Sequence, residues 1–256
     1  MDESTDKLIQ ARLLDLAAWV REHHQPRSTP FLDPARVIVA EHFLQREASD
    51  LNFVSQGGYP EAERRIILIT PGYLEPEAEF KEKELLAALL ITWPERYYSL
   101  SHRDILGAIL GLRLKRGQVG DILMDSGQAQ VVTTSDIAPY VATQLKSAGR
   151  APVIVTELSL AGLNPPQPKV KEIRTSIASP RLDCILAAAF GLSRSKALNL
   201  ISSERVQVNF EPVTNPAYKV AAGALLSVRG LGRARVVSFQ GQSKKGRTFS
   251  VLERYL

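Results

Sequence analysis

The sequence predicts an α+β protein of three small domains. Helical and strand-like spacings of apolar residues follow one another in mixed order along the 256 residues. Pro-Gly at 71–72 and a proline-bearing stretch at 161–180 divide that order into segments 1–73, 74–160 and 179–256, with 161–178 as a linker. Charge separates the last segment from the others. Residues 171–256 carry 14 Lys/Arg against 5 Asp/Glu, a net of +9, whereas residues 1–170 carry 18 against 22, a net of −4.

Each element has its own warrant. Leu8, Ile9, Leu13, Leu16 and Val20 recur at helical spacing and predict a helix over 5–23. Asp33-Pro34 opens a second helix, with Asp as the cap and Pro at the first helical position. NFVSQ, a Gly-Gly turn and the strand 65–70 complete a small α/β N-terminal domain. Segment 74–160 then reads βαββαβ: LLAALLITW, SHRDILGAILGL, VGDILM, AQVVTT, DIAPYVATQLKSAG and APVIVTEL. That order is ferredoxin-like, and RNA-recognition motifs share it. Ser101 suits the first helix as a cap, Ser135 or Asp136 the second, and Asp125-Ser126-Gly127 is hairpin chemistry. Within the linker, KVKEIRTSIA alternates enough to be a strand leading into the last domain.

The basic segment carries the functional signal. Arg181–Phe190 reads as an apolar helix ended by Gly191, and Ser193 caps a second helix, SRSKALNLISS. Arg194 and Lys196 stand in its first turn, where cations oppose the helix dipole. A phosphate at that helix start would account for them, because free backbone N–H groups attract an anion. RVQVN follows as a strand, then short β segments around Val213 and 218–220, then LLSVRGLGRARVVSF. Its glycines allow a tight turn flanked by Arg229, Arg233 and Arg235, and Lys244, Lys245 and Arg247 form a basic hairpin tip. A basic half on a mildly acidic body points to a polyanion, most commonly nucleic acid. Arg113, Lys115 and Arg116 form a second basic cluster after the first helix of the middle domain. They suit a phosphate contact that orients without reading sequence. The central strands of that domain hold no aromatic residues, which argues against base stacking there.

Taken together, RLD…GLSRSKA…LI…VQVN…V…VRGLGR resembles the S4-type RNA-binding domain, an αL module with a helix–turn–helix–strand core. Two turns depart from that family: Ser203-Glu204 stands where Gly usually precedes the first strand, and Gly223-Ala224 where Gly-Asp is usual. With GGYPEAERR at 57–65 and SHRDILGAILGLRLKRGQVGDI at 101–122, residues 55–256 resemble the YlmH family. Its cyanobacterial and plastid branch is labelled photosystem II S4 domain protein. The resemblance implies a non-enzymatic RNA binder acting in ribosome-associated quality control, on large-subunit ribosomal RNA near peptidyl-tRNA. The candidate RNA-binding residues are Arg181, and Ser193, Arg194, Ser195, Lys196 and Asn199 of the second helix. Arg205 and Asn209 flank the strand; Arg229, Gly230, Gly232, Arg233, Arg235, Lys244 and Lys245 follow, with Arg113, Lys115 and Arg116 upstream.

Other classes fare worse. One cysteine, Cys184, precludes an intramolecular disulfide and fits a reducing compartment, and it sits on an apolar helix face as a core residue. No zinc spacing exists, and no cofactor or metal is expected. There is no run of eighteen apolar residues, and the acidic amphipathic start resembles neither a secretory signal nor a transit peptide. A cytoplasmic monomer is expected. His102-Arg103-Asp104 mimics a kinase catalytic loop, but Ile109 stands where that loop requires Asn. No phosphate-binding G-x-x-x-x-G-K-[ST] loop occurs, and Gly230-Leu231-Gly232 lacks the third glycine of a dinucleotide loop. Arg181-Leu182-Asp183 mimics a pseudouridine synthase triplet, yet an apolar helix follows it. His23-His24 ends a helix among polar residues and reads as solvated. The alternatives are an RNA-modifying enzyme targeted by the S4-type module and a protein-interaction adaptor.

Overall fold

The computed structural model describes residues 3–167, 169–242 and 246–256, and the chain divides into two compact units, 2–166 and 167–256. The first unit opens with α1 (Glu3–His23), β1 (Arg27–Ser28), α2 (Pro34–Glu47), β2 (Leu51–Gln56) and β3 (Ile66–Pro71). The strands form an antiparallel sheet in the order β1-β3-β2. Leu13 and Val20 of the α1 stripe are buried with Phe43, Leu44, Ile67 and Ile69, whereas Leu8 stays 71% exposed. Asp33 caps α2 as expected, its Oδ1 accepting from the Arg36 N–H at 3.0 Å.

The unit continues through α3 (Pro76–Glu82), β4 (Leu86–Thr92), α4 (His102–Gly111), β5 (Val119–Asp125), β6 (Gln128–Thr134) and α5 (Ala138–Gln144). It ends with the two-residue strands β7 (Ser147–Ala148) and β8 (Ala151–Pro152), then β9 (Ile154–Leu158). The sheet order β5-β6-β4-β9, antiparallel throughout, is the ferredoxin-like arrangement. Ser101 forms a reciprocal capping box with Asp104 at the start of α4. The second helix is a correction. Its cap position is Ile137, with no side-chain cap bond from Ser135 or Asp136. It also stops at Gln144, because residues 147–152 turn back as the β7–β8 hairpin around Gly149. The helix α3 was not expected, being short and mostly polar.

Both faces of this sheet are covered. Ile105, Ile109 and Val141 of the helices pack on Leu89, Ile91 and Val131. On the other face Val132 and Leu86 meet Phe31, Ile66, Leu68 and Phe80. Gly120 is needed there, since a Cβ at that position would lie 2.8 Å from the Phe31 ring. A polar lock joins the same segments. Asp121 accepts from the Tyr59 hydroxyl at 2.8 Å and from the backbone N–H groups of Glu63 and Arg64 at 2.7 and 3.1 Å. The Arg64 guanidinium donates to the Phe31 and Val119 carbonyls, and burial draws its pKa down to about 10. The expected boundary at 73–74 therefore falls inside one compact unit.

The second unit holds β10 (Val170–Ile177), α6 (Leu182–Phe190), α7 (Arg194–Ser202), β11 (Val206–Val208), β12 (Glu211–Pro212), β13 (Leu225–Val228), β14 (Gly232–Gln242) and β15 (Thr248–Tyr255). Its six-stranded sheet runs β10-β15-β14-β13-β11-β12. The strand expected in KVKEIRTSIA forms within the 161–178 segment: residues 170–177 pair with β15 along their whole length as an edge strand. Alternation makes one face of this sheet apolar. Val206, Leu226, Val228, Ala234, Val236 and Leu252 pack beneath Leu182, Ile185, Leu186, Ala197 and Ile201 of the two helices.

Candidate nucleic-acid interface

The join between α6 and α7 is built by local rules. Gly191 ends α6 in the left-handed conformation (φ 64°), and Ser193 caps α7 by accepting from the Lys196 N–H at 3.3 Å. The helices bend through 116°. This sharp turn holds Ser193, Arg194, Ser195, Lys196 and Asn199 in solvent on one corner of the unit.

The two cations of that corner differ. Asp183, fully buried at the start of α6, accepts from Arg181 through Nε at 3.0 Å and Nη2 at 3.2 Å. Arg194 reaches the same carboxylate with Nε at 3.0 Å and Nη2 at 2.9 Å. Burial pushes the Asp183 pKa up, but the hydrogen bonds and charges of the two arginines outweigh it and hold the group at about 2. Arg194 is thus no uncompensated cation at a helix start. Its guanidinium braces α7 against α6 while 62% of the side chain stays exposed. Lys196, two positions on, projects into solvent. In sequence Asp183 stands out only as the third residue of a mimic triplet. The available signal was an acid two residues after an arginine, at the apolar start of a helix.

The remaining cations of the unit lie elsewhere. Because Ala234 and Val236 face the helices, Arg233 and Arg235 face the opposite side of the sheet. The register continues that row: Arg233 stands opposite Ser227, which stands opposite Gln207, and Arg235 stands opposite Glu253. Beside them a shallow depression of about 320 Å³ is lined by Glu204, Arg205, Gln207, Ser227 and Arg229. Arg205 donates to the Arg229 carbonyl at 2.7 Å, tying the loop before β11 to the turn after β13. Gly230 (φ 86°) provides the left-handed position of that turn, closed by the Leu231 N–H on the Val228 carbonyl. Arg233 also lies over the Phe210 ring at 5.8 Å. The candidate residues therefore form two groups on opposite sides of one sheet.

Several candidates have structural duties. The Asn209 side chain accepts from the Leu225 N–H at 2.9 Å and holds a left-handed residue (φ 49°) in the β11–β12 turn. Arg247 donates to Ser176 across the sheet edge. Lys244 and Lys245 lie outside the described residues. In the first unit Arg116 turns inward, its guanidinium donating to the Val119 and Gly120 carbonyls, while Arg113 and Lys115 remain exposed. Arg116 is thus half-buried in the polar lock, and its pKa is lowered by burial. The sheet face that RNA-recognition motifs use is closed here by Phe31 and its neighbours, in keeping with the lack of aromatics on the central strands. Cys184 packs against the core of the second unit. Among the described residues no group of His, Cys, Asp and Glu could hold a metal, and no single helix is long and apolar enough to cross a membrane.

The chain matches three family models in order: the YlmH N-terminal domain over 6–74, the putative RNA-binding domain in YlmH over 79–162, and the S4 domain over 180–226. It is similar to the solved structure of cell division protein ylmH from Streptococcus pneumoniae, with 25% identity and a TM-score of 0.52 over 63% of this chain and 95% of that one. It is 34% identical over 235 residues to ribosome-associated protein quality control protein P2 of Bacillus subtilis (strain 168), covering 92% of this chain and 90% of that protein. By the extent of that identity and the three matched domains in sequence, the chain belongs to the YlmH family of S4-domain proteins.

Proposed function

We propose that this protein is a non-enzymatic RNA binder that attaches to structured ribosomal RNA of the large subunit, beside peptidyl-tRNA, in ribosome-associated quality control. The observation that carries the reading is the solvent-facing corner at the start of α7. There Ser193, Ser195 and Lys196 are exposed at the N-terminus of α7, where the helix dipole favours an anion, and Asp183 fixes the adjacent Arg194 in place. The name of the Bacillus subtilis relative supports the process. The protein acts as a cytoplasmic monomer, with 1–73 and 74–160 as the two halves of the first unit, a linker from 161, and 179–256 as the S4 module. Arg113 and Lys115 add phosphate contacts from the first unit.

The test is the salt dependence of binding to ribosomal RNA by the whole chain. Each phosphate contact contributes roughly 0.7–0.9 to the slope of log affinity against log salt. Lys196→Ala is expected to lower the slope by about that amount at unchanged thermal stability, and Lys196→Ala with Arg235→Ala by about twice that. Unchanged slopes in both variants would overturn the assignment. A change in RNA mass on incubation with S-adenosylmethionine or nucleotides would replace it with the enzyme reading.

A further inference from the structure

The first unit carries an aromatic and cationic cluster that the S4 module does not explain. It forms where the end of α1, the start of β1 and the turn after β3 converge. The imidazole of His23 lies parallel to the Trp19 ring, 4.2 Å between centroids and 5° between planes. The Arg27 guanidinium lies 3.8 Å from the centre of the same Trp19 ring. Next to this ladder the rings of His24 and Tyr73 stand 6.4 Å apart and tilted by 37°. Tyr73 is 70% exposed, and His24 and Arg27 are exposed as well. The pair His23-His24, read from sequence as simply solvated, is thus part of an ordered ring assembly.

The cluster is held rigidly. Arg21 makes a bidentate pair with Asp50, at 2.8 and 2.7 Å, anchoring the last turn of α1 at the start of β2. The Asn52 amide donates to the carbonyls of Gly72 and Leu74, 3.1 Å each, clamping the turn that presents Tyr73. Arg27 pairs with Ile69, so the antiparallel register brings His24 level with the 72–73 turn. Trp19 packs against the core of the unit and anchors the ladder, whereas His24 and Tyr73 face water, and exposed rings grouped with a cation mark a binding surface.

We propose that this cluster binds an unpaired nucleobase of single-stranded RNA, stacked between His24 and Tyr73, with Arg27 on the adjoining phosphate. A base occupies about 3.4 Å along a stack, so a sandwich requires rings about 6.8 Å apart. The observed 6.4 Å needs only a small opening and levelling of the tilt. Arg27 has no carboxylate partner among the described residues, and stacking on Trp19 leaves the edge of its guanidinium free to donate. Aromatic stacking accepts any base, so the site selects unpaired nucleotides without reading sequence. The inference goes beyond the S4 reading and concerns a different unit of the chain.

The probe is a short single-stranded oligoadenylate, compared with a duplex RNA of equal length at the same salt, on the full chain. Tyr73→Ala is expected to weaken oligoadenylate binding about 5- to 150-fold, the range of one base–aromatic stack. Tyr73→Phe should retain it. His24→Gly removes the other ring at a position whose backbone (φ 55°) glycine accepts without strain, and should weaken binding similarly. Duplex affinity should stay unchanged in all three, as should the tryptophan fluorescence melt. Equal oligoadenylate affinity in parent and alanine variant, an equal loss on duplex, or no oligoadenylate binding by the parent would overturn the proposal. In the first case the ring pair would belong to a protein partner. None of these results bears on the salt slope of Lys196→Ala, so the two readings fail separately.

Discussion

Replacing Asp183 with Asn keeps the shape of the side chain and removes the charge that Arg181 and Arg194 share. The carboxyl, with an ordinary value of 3.8, is held at about 2 in the folded protein, against the effect of its own burial. A shift of that size corresponds to about 2 kcal/mol of folding stability at neutral pH. The variant also aims amide hydrogens at two guanidinium groups, so about 2 kcal/mol is the smaller expectation. Because Asp183 sits at the base of α6, the loss should appear as faster backbone hydrogen exchange throughout α6 and α7, by roughly 30-fold. Both tryptophans, Trp19 and Trp93, lie in the first unit. Their fluorescence melt is therefore an internal control that should not move. The sign with pH follows from the lowered pKa. The contribution is fully present above the unfolded-chain value near 3.9 and is lost as the pH falls towards about 2. The gap in thermal stability between parent and Asp183→Asn should hold from neutral pH to about pH 5 and close between about pH 4 and 2. Identical exchange at neutral pH, or a gap that persists at pH 2, would refute the account of Asp183 as the charged brace of the corner.

The same geometry sets the other expectations. Arg194→Ala should lower stability by about 1 kcal/mol, since Arg181 still holds Asp183 and the lost partner is largely exposed. Thermal melts of the second unit followed by circular dichroism would show it, and an unchanged or raised midpoint would mean that relief of the helix dipole wins. Glu204 occupies a left-handed position (φ 56°) where the S4 family usually has glycine. Glu204→Gly should therefore stabilise the second unit by about 1 kcal/mol, measured in the same melts. Asp121→Ala strands the Tyr59 hydroxyl and two backbone N–H groups in a half-buried site. It should cost about 3 kcal/mol in the tryptophan-detected melt of the first unit; a loss below about 1 kcal/mol would show that water replaces the carboxylate there.

Local chemistry made much of this molecule legible in the sequence. Asp33-Pro34, Ser101 and Ser193 are caps, and Gly191 and Gly230 are left-handed positions, because each depends on backbone groups within a few residues. The βαββαβ order was readable for the same reason, since alternation and helical spacing register burial residue by residue. What tertiary structure alone decided is where charges and faces meet. Asp183 and Arg194 are eleven residues apart and touch only because the two helices bend back on each other. Arg233 and Arg235 belong to the candidate set by composition, yet strand parity turns them to the side of the sheet away from α7. Alternation shows KVKEIRTSIA as a strand, but not that residues 170–177 pair with β15, more than seventy positions away. His23-His24 reads in sequence only as a solvated pair, and nothing local links it to Arg27 or Tyr73, which the antiparallel register of β1 and β3 brings beside it. The physical reason is common to all four. A side chain's propensity is written in its neighbours along the chain, but its electrostatic and stacking partners are set by loop closures that no local spacing encodes.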